Sequence, residues 1–135
     1  MKILEMEAKI DHLSKVLAFV DALLEEHGCS MKTQMQVDVA IEEIFVNVAS
    51  YAYGGRSGPV TISCHVAGDE PVLSVSFIDE GIPYNPLEKP DPDTSLPLDQ
   101  RDIGGLGIYM VKKSMDDMKY EYKDGKNILT ISKAL

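Results

Sequence analysis

The sequence predicts an α+β fold: a two-layer α/β sandwich with a mixed, mainly antiparallel sheet and three helices on one face. Three observations carry that expectation. Apolar residues recur at helical spacing in three separate stretches. Two pairs of short alternating runs flank tight-turn sequences, Gly68-Asp69-Glu70 and Asp124-Gly125-Lys126. The order along the chain is β α α β β, a long aperiodic stretch, then α β β, which groups helices against hairpins. With 135 residues, one domain spanning 1–135 is expected.

Residues 2–8 partly alternate and predict a first strand. Asp11 is placed to cap the next element. Ile10, Leu13, Leu17, Val20 and Leu24 are spaced 3, 4, 3 and 4 apart, one face of a helix that Gly28 stops. Ser30 can cap a second helix running to about Tyr53, with Val37, Ile41, Ile44 and Val48 as its apolar face and Phe45 and Ala49 beside it. Residues 54–59 (Gly-Gly-Arg-Ser-Gly-Pro) break the chain, and 60–67 and 71–78 form a hairpin. Residues 79–103 hold five of the seven prolines, together with Asp91, Asp93 and Asp99. A stretch that long without periodicity, inside so small a domain, predicts a functional lid rather than a linker. Gly104-Gly105-Leu106-Gly107 opens a third helix with Ile108, Val111, Met115 and Met118 inward, and 118–123 and 127–132 close the chain as a hairpin.

Composition removes several function classes. A hydrophobic content of 44% is too high for a disordered chain. No run of about 18 apolar residues exists, so no membrane span is expected. Acidic residues stand early in the N-terminal segment, which argues against a signal peptide and for a cytoplasmic location. Cys29 and Cys64 lack CxxC spacing and read as free thiols in a reducing compartment. His12, His27 and His65 form no ligand pattern with them. The net charge of −9, with no Lys/Arg stripe to interrupt it, repels phosphate backbones and excludes direct nucleic-acid binding.

Three places carry residues suited to chemistry. Glu43 and Asn47 are four apart and share a helix face. The amide oxygen is a neutral hard ligand for Mg²⁺, and the carboxylate can accept a proton from a hydroxyl aligned on a phosphate. Taken alone, the pair reads first as a solvated helix face. Asp79 ends an apolar strand, where its carboxylate can accept a hydrogen bond from an exocyclic amine such as adenine N6. Gly81, without a Cβ, would let a flat ring approach its backbone. A strand ending in an ordinary turn explains both residues as well. Gly104-Gly105-Leu106-Gly107 precedes a helix, whose N-terminal amides bind anions without any Lys. It matches neither GxGxxG nor the P-loop pattern, and a hinge into a helix is the equal alternative.

The order of these signals is more telling than any one of them. Residues 39–47 (Val-Ala-Ile-Glu-Glu-Ile-Phe-Val-Asn), Ile78-Asp79-Glu80-Gly81 and Gly104-Gly105-Leu106-Gly107 together resemble the GHKL ATPase superfamily. Within it, the chain is similar to the short anti-sigma-factor serine/threonine kinases of bacterial partner-switching systems. The resemblance implies ATP and Mg²⁺ as cofactors, with Asn47 holding the metal on the triphosphate and Glu43 as general base. It implies that Asp79 reads adenine, that Gly81 lies below the ring, and that Gly105, Leu106 and Gly107 cradle phosphates under an ATP lid at about 84–103. It further implies phosphorylation of a serine or threonine on a STAS-type anti-anti-sigma protein, binding of a sigma factor, and a homodimer.

Pro83 stands where many members carry a second glycine, and the nearest basic residue before the glycine loop is Arg101. These two features motivate the alternative of a nucleotide-sensing binding module without kinase turnover. A detached histidine-kinase ATP domain ranks last, because His12 has no second hairpin helix before it.

Overall fold

The computed structural model describes residues 1–88 and 105–135. The expected lid from residue 89 onward, Arg101 and Gly104 lie outside the described residues. In chain order the elements are β1 (Lys2–Glu7), α1 (Leu13–Glu26), α2 (Met31–Tyr51), β2 (Pro59–Ala67), β3 (Val72–Asp79), α3 (Gly105–Ser114), β4 (Asp117–Lys123) and β5 (Lys126–Ala134). Short 3-10 turns at Ile10–His12 and Pro86–Glu88 join them. No helix among the described residues is long and apolar enough to cross a membrane.

Helix boundaries follow local chemistry. Gly28 takes φ +65°, the left-handed conformation that ends α1, and Cys29 N–H returns to Leu24 O at 3.3 Å. The Ser30 hydroxyl accepts from Thr33 N–H at 3.2 Å and caps α2. Asp11 does not cap α1. It lies in the 3-10 turn, and His12 precedes the helix without a side-chain cap while its ring Nδ1 bonds to Glu7 O at 2.9 Å. The buried stripe of α1 is Val16, Val20, Leu23 and Leu24, rotated from the expected one. Ile10 falls before the helix and is exposed, while Leu13 and Leu17 pack on the flank of the core.

The sheet order is β1-β2-β3-β5-β4, and all four pairings are antiparallel. Period-2 alternation turns Val60, Ile62 and Cys64 of β2, Leu73, Val75 and Phe77 of β3, and Leu129 and Ile131 of β5 toward the helices. They meet Val37, Ile41, Ile44 and Phe45 of α2, Val20 and Leu24 of α1 and Val111 of α3 in one core. Two polar residues share that inward face, Asp79 and Asn127, each only 6% exposed. The opposite face is lined by hydroxyls, where Ser76 and Thr130 hydrogen-bond across β3 and β5 at 2.8 Å. Cys64 is buried and Cys29 partly so; both are free, and burial pushes both thiols up, as packing residues rather than nucleophiles.

One contact between α1 and α2 joins like charges. The Asp21 and Asp38 carboxyls lie beside one another, and Oδ1 of each is buried without a hydrogen-bond partner among the described residues. Desolvation first, then the hydrogen bond to Asp21 and its charge, push the Asp38 carboxyl up to about 7. A raised carboxyl favours the fold at low pH, and that contribution disappears as pH climbs from the ordinary aspartate range through about 7. Replacing Asp38 with Asn should therefore raise the melting temperature relative to wild type increasingly between about pH 5 and about pH 8.5. Parallel melting curves across that range would show that the two carboxyls do not share a proton.

Candidate functional site

A cavity of about 260 Å³ opens between α2 and the end of the sheet. Phe77 and Leu129 form its floor, Ile44, Asn47 and Val48 of α2 one wall, and Ile82 and Tyr84 another. An apolar concavity with a few fixed polar groups is the usual make-up of a small-molecule site.

The polar end of that cavity is built across two strands. Antiparallel register sets Asp79 opposite Asn127. Asp79 Oδ1 accepts from Gly81 N–H and from Asn127 Nδ2, both at 2.9 Å. Its Oδ2 receives no hydrogen bond from the described residues, and Asp79 borders the cavity. Asn127 Nδ2 also donates to Ile82 O at 2.9 Å, while its Oδ1 accepts from Tyr84 N–H at 3.1 Å and from the Tyr120 hydroxyl. Burial, aided by the charge of Asp79 and opposed by the Tyr84 backbone, pushes the Tyr120 hydroxyl up, so it stays a donor.

Packing alone requires a glycine at position 81. A Cβ there would lie 2.6 Å from the Ala52 carbonyl carbon at the end of α2. Ile82 N–H then donates to Ala52 O at 3.0 Å. The missing side chain lets the end of β3 lock onto α2. Tyr53 reinforces the same junction: its hydroxyl donates to Pro59 O and accepts from Glu80 N–H at 2.8 Å. Burial pushes that hydroxyl up as well.

The expected site residues come together in part. Asn47 and Asp79 face the same cavity, and the Asn47 carboxamide makes no hydrogen bond with the described residues. Glu43, one turn earlier on α2, reaches the first turn of α3. A Cβ on Gly107 would lie 2.9 Å from Glu43 Cδ, so the carboxylate fills the space that this glycine leaves open. A carboxylate is well placed there, because helix N-termini attract anions. Gly105, Leu106 and Gly107 form that first turn, which begins α3. Among the described residues, no group of three or more His, Cys, Asp and Glu could hold a metal unaided.

Sequence reasoning missed Asn127, Tyr120 and Tyr53. A signal for Asn127 is present in the chain: it stands two residues before Leu129 in an alternating strand, on the face that should be apolar. Its partner lies 48 residues away and appears only once the register is known.

A family model described as a histidine kinase-like ATPase domain matches residues 6–133. The serine-protein kinase RsbW of Listeria innocua serovar 6a is 23% identical over 131 residues, covering 93% of this chain and 82% of that protein. The serine-protein kinase RsbW of Bacillus mycoides is 23% identical over 130 residues, covering 93% and 80%. Among solved structures, the RsbU and RsbW domains of Rv1364c from Mycobacterium tuberculosis superpose with a TM-score of 0.66 at 19% identity. That match covers 100% of this chain and 33% of the other. At that identity the superposition supports the fold alone.

Two glycine substitutions separate backbone packing from side-chain packing. Gly81→Ala drives a methyl into the Ala52 carbonyl and should cost about 1–3 kcal/mol in urea denaturation. Gly107→Ala meets only the end of the Glu43 side chain and should stay within about 1 kcal/mol of wild type. Equal losses in the two would show that the α2–β3 junction is not rigid.

Proposed function

The chain belongs to the histidine kinase-like ATPase family, and on that premise we propose that it is an ATP-dependent protein serine/threonine kinase and anti-sigma factor. Its substrate is a serine or threonine hydroxyl on a STAS-type anti-anti-sigma partner, it binds a sigma factor, and it works as a homodimer. The observation that supports this best is the cavity that Asn47 and Asp79 border together, with Glu43 and the α3 N-terminus beside it. The residues suit ATP and Mg²⁺. Asp79 Oδ2 is an acceptor without a protein partner among the described residues, the Asn47 carboxamide is free of them, and the Gly107 cradle already holds an anionic group.

Each residue then has a defined task. Asp79 Oδ2 would accept a hydrogen bond from the exocyclic amine of the purine, in a cavity that Phe77 and Leu129 line with apolar surface. The Asn47 oxygen would hold Mg²⁺, which would supply neutralisation of the phosphate charge. The Gly105, Leu106 and Gly107 amides of the α3 first turn receive phosphate oxygens, with residues 84–103 as the lid. Glu43 leaves its place beside Gly107 when an anion takes it and accepts the proton of the substrate hydroxyl. Catalysis of this kind is positioning and charge stabilisation more than bond-making by the protein.

One observation favours a second reading. In this structure the Glu43 carboxylate is packed against Gly107 and is not among the residues bordering the cavity. A nucleotide-sensing partner-switch module without turnover would need only that exchange of anions at α3.

The experiment is phosphotransfer from radiolabelled ATP to the STAS partner, beside calorimetry with ATP and Mg²⁺. Glu43→Gln should keep ATP affinity within about threefold and lower transfer by about 10²–10⁴-fold. Asn47→Ala should abolish the Mg²⁺-dependent part of binding. Full transfer by Glu43→Gln would remove Glu43 as the base. ATP binding without transfer by wild type would select the sensing module.

A further inference from the structure

The two oxygens of Asp79 are not equivalent, and Asn127 makes the difference. Oδ1 is already used by Gly81 N–H and by Asn127 Nδ2, so Oδ2 is the oxygen left to meet a ligand. The orientation of the Asn127 carboxamide is itself determined. Its oxygen must face the Tyr84 backbone N–H, and its nitrogen must face the Ile82 carbonyl, because neither backbone group can exchange roles. The Tyr120 hydroxyl adds a second donor on the oxygen side. Asn127 borders the cavity beside Asp79, but both carboxamide hydrogens and the carboxamide oxygen are already used within the protein, which holds the group in one orientation.

We propose that Asn127 is a positioning residue that sets base selection: by holding Asp79 Oδ1, it leaves a single fixed acceptor, Oδ2, and so favours 6-aminopurine over 6-oxopurine nucleotides. The inference rests on the reading of Asp79 as the group that meets the purine. A 6-amino group donates to Oδ2, whereas a 6-oxo group places its lone pairs against a carboxylate oxygen. Freed from Asn127, the carboxylate can rotate and meet other edges of the ring, and the sign of the preference weakens. Asn127 has its hydrogen-bonding groups engaged by the protein, so it acts through Asp79 and, through Ile82 and Tyr84, through the wall opposite α2.

The test is calorimetry with ATP and with inosine triphosphate, each with Mg²⁺, on wild type, Asn127→Ser and Tyr120→Phe, with a melting curve for every protein. Wild type should bind ATP about tenfold or more tightly than inosine triphosphate, the worth of one hydrogen bond to a charged group. Asn127→Ser should cut that ratio to about threefold or less by weakening ATP, with inosine triphosphate nearly unchanged. Tyr120→Phe removes only one support of the carboxamide and should reduce the ratio by a smaller step. If Asn127→Ser gives no melting transition, the Tyr120→Phe ratio decides alone, and an unaltered ratio there overturns the proposal. Equal losses for both nucleotides in Asn127→Ser also overturn it, since a merely structural role predicts that pattern. A wild type that binds the two alike sinks the role of Asn127 and leaves the nucleotide site standing. A wild type that binds neither sinks both.

Discussion

A carboxylate and a carboxamide lie side by side on the inward face of the sheet, among residues that are otherwise apolar. Burying either alone would be costly, because an unpaired polar group in the interior loses its water without compensation. Together they satisfy one another, and the remaining valences of Asn127 reach Ile82, Tyr84 and Tyr120. The pair works only if β3 and β5 are neighbours in this register. Non-sequential pairing, with β4 pushed to the sheet edge, is thus tied directly to the site. The same bonds fix the path of the chain where it leaves β3, which gives the cavity its second wall.

The helix side of the cavity is held by contacts of another kind. Here glycines decide how closely elements approach. The backbone of Gly81 lies against the last carbonyls of α2, and Gly58 lies under the Tyr53 ring, where a Cβ would come within 2.6 Å of Cδ1. Gly107 admits the Glu43 carboxylate to the first turn of α3. The first two are backbone or ring contacts with no give. The third is the end of a long side chain, which can withdraw. α2 bears on all of this, since Glu43 and Asn47 project from one face while Val37, Ala40, Ile41, Ile44 and Phe45 seal the core.

Much of the architecture is legible because it is written in short-range patterns. Ser30 and Gly28 mark helix ends by hydrogen bonding and left-handed φ, and both hairpins follow from alternation around Gly-containing turns. The α1 stripe inferred from spacing lies a little off the true face, because Ile10 continues the spacing but belongs to the preceding 3-10 turn. The site is legible as an ordered set of residues through resemblance to a family, not through any single spacing. What stays hidden is long-range. Nothing local says that Asn127 faces Asp79, that the missing Cβ of Gly81 points at Ala52, or that Asp21 and Asp38 meet across two helices. Such facts belong to register and helix packing, which a linear pattern constrains only indirectly.

The two ends of the cavity differ in stiffness. The Asp79 end is woven into interior strands of the sheet, whose amides open to exchange only when much of the domain comes apart. The α3 end rests on a single helix whose first turn touches α2 through a retractable carboxylate. The contact that can yield is therefore at the second end. On the proposed function, a ligand's aromatic half would meet a template that hardly yields, and its anionic half a surface from which the Glu43 side chain can withdraw. On that proposal, a difference of one phosphate would then be felt at α3, with the base left undisturbed.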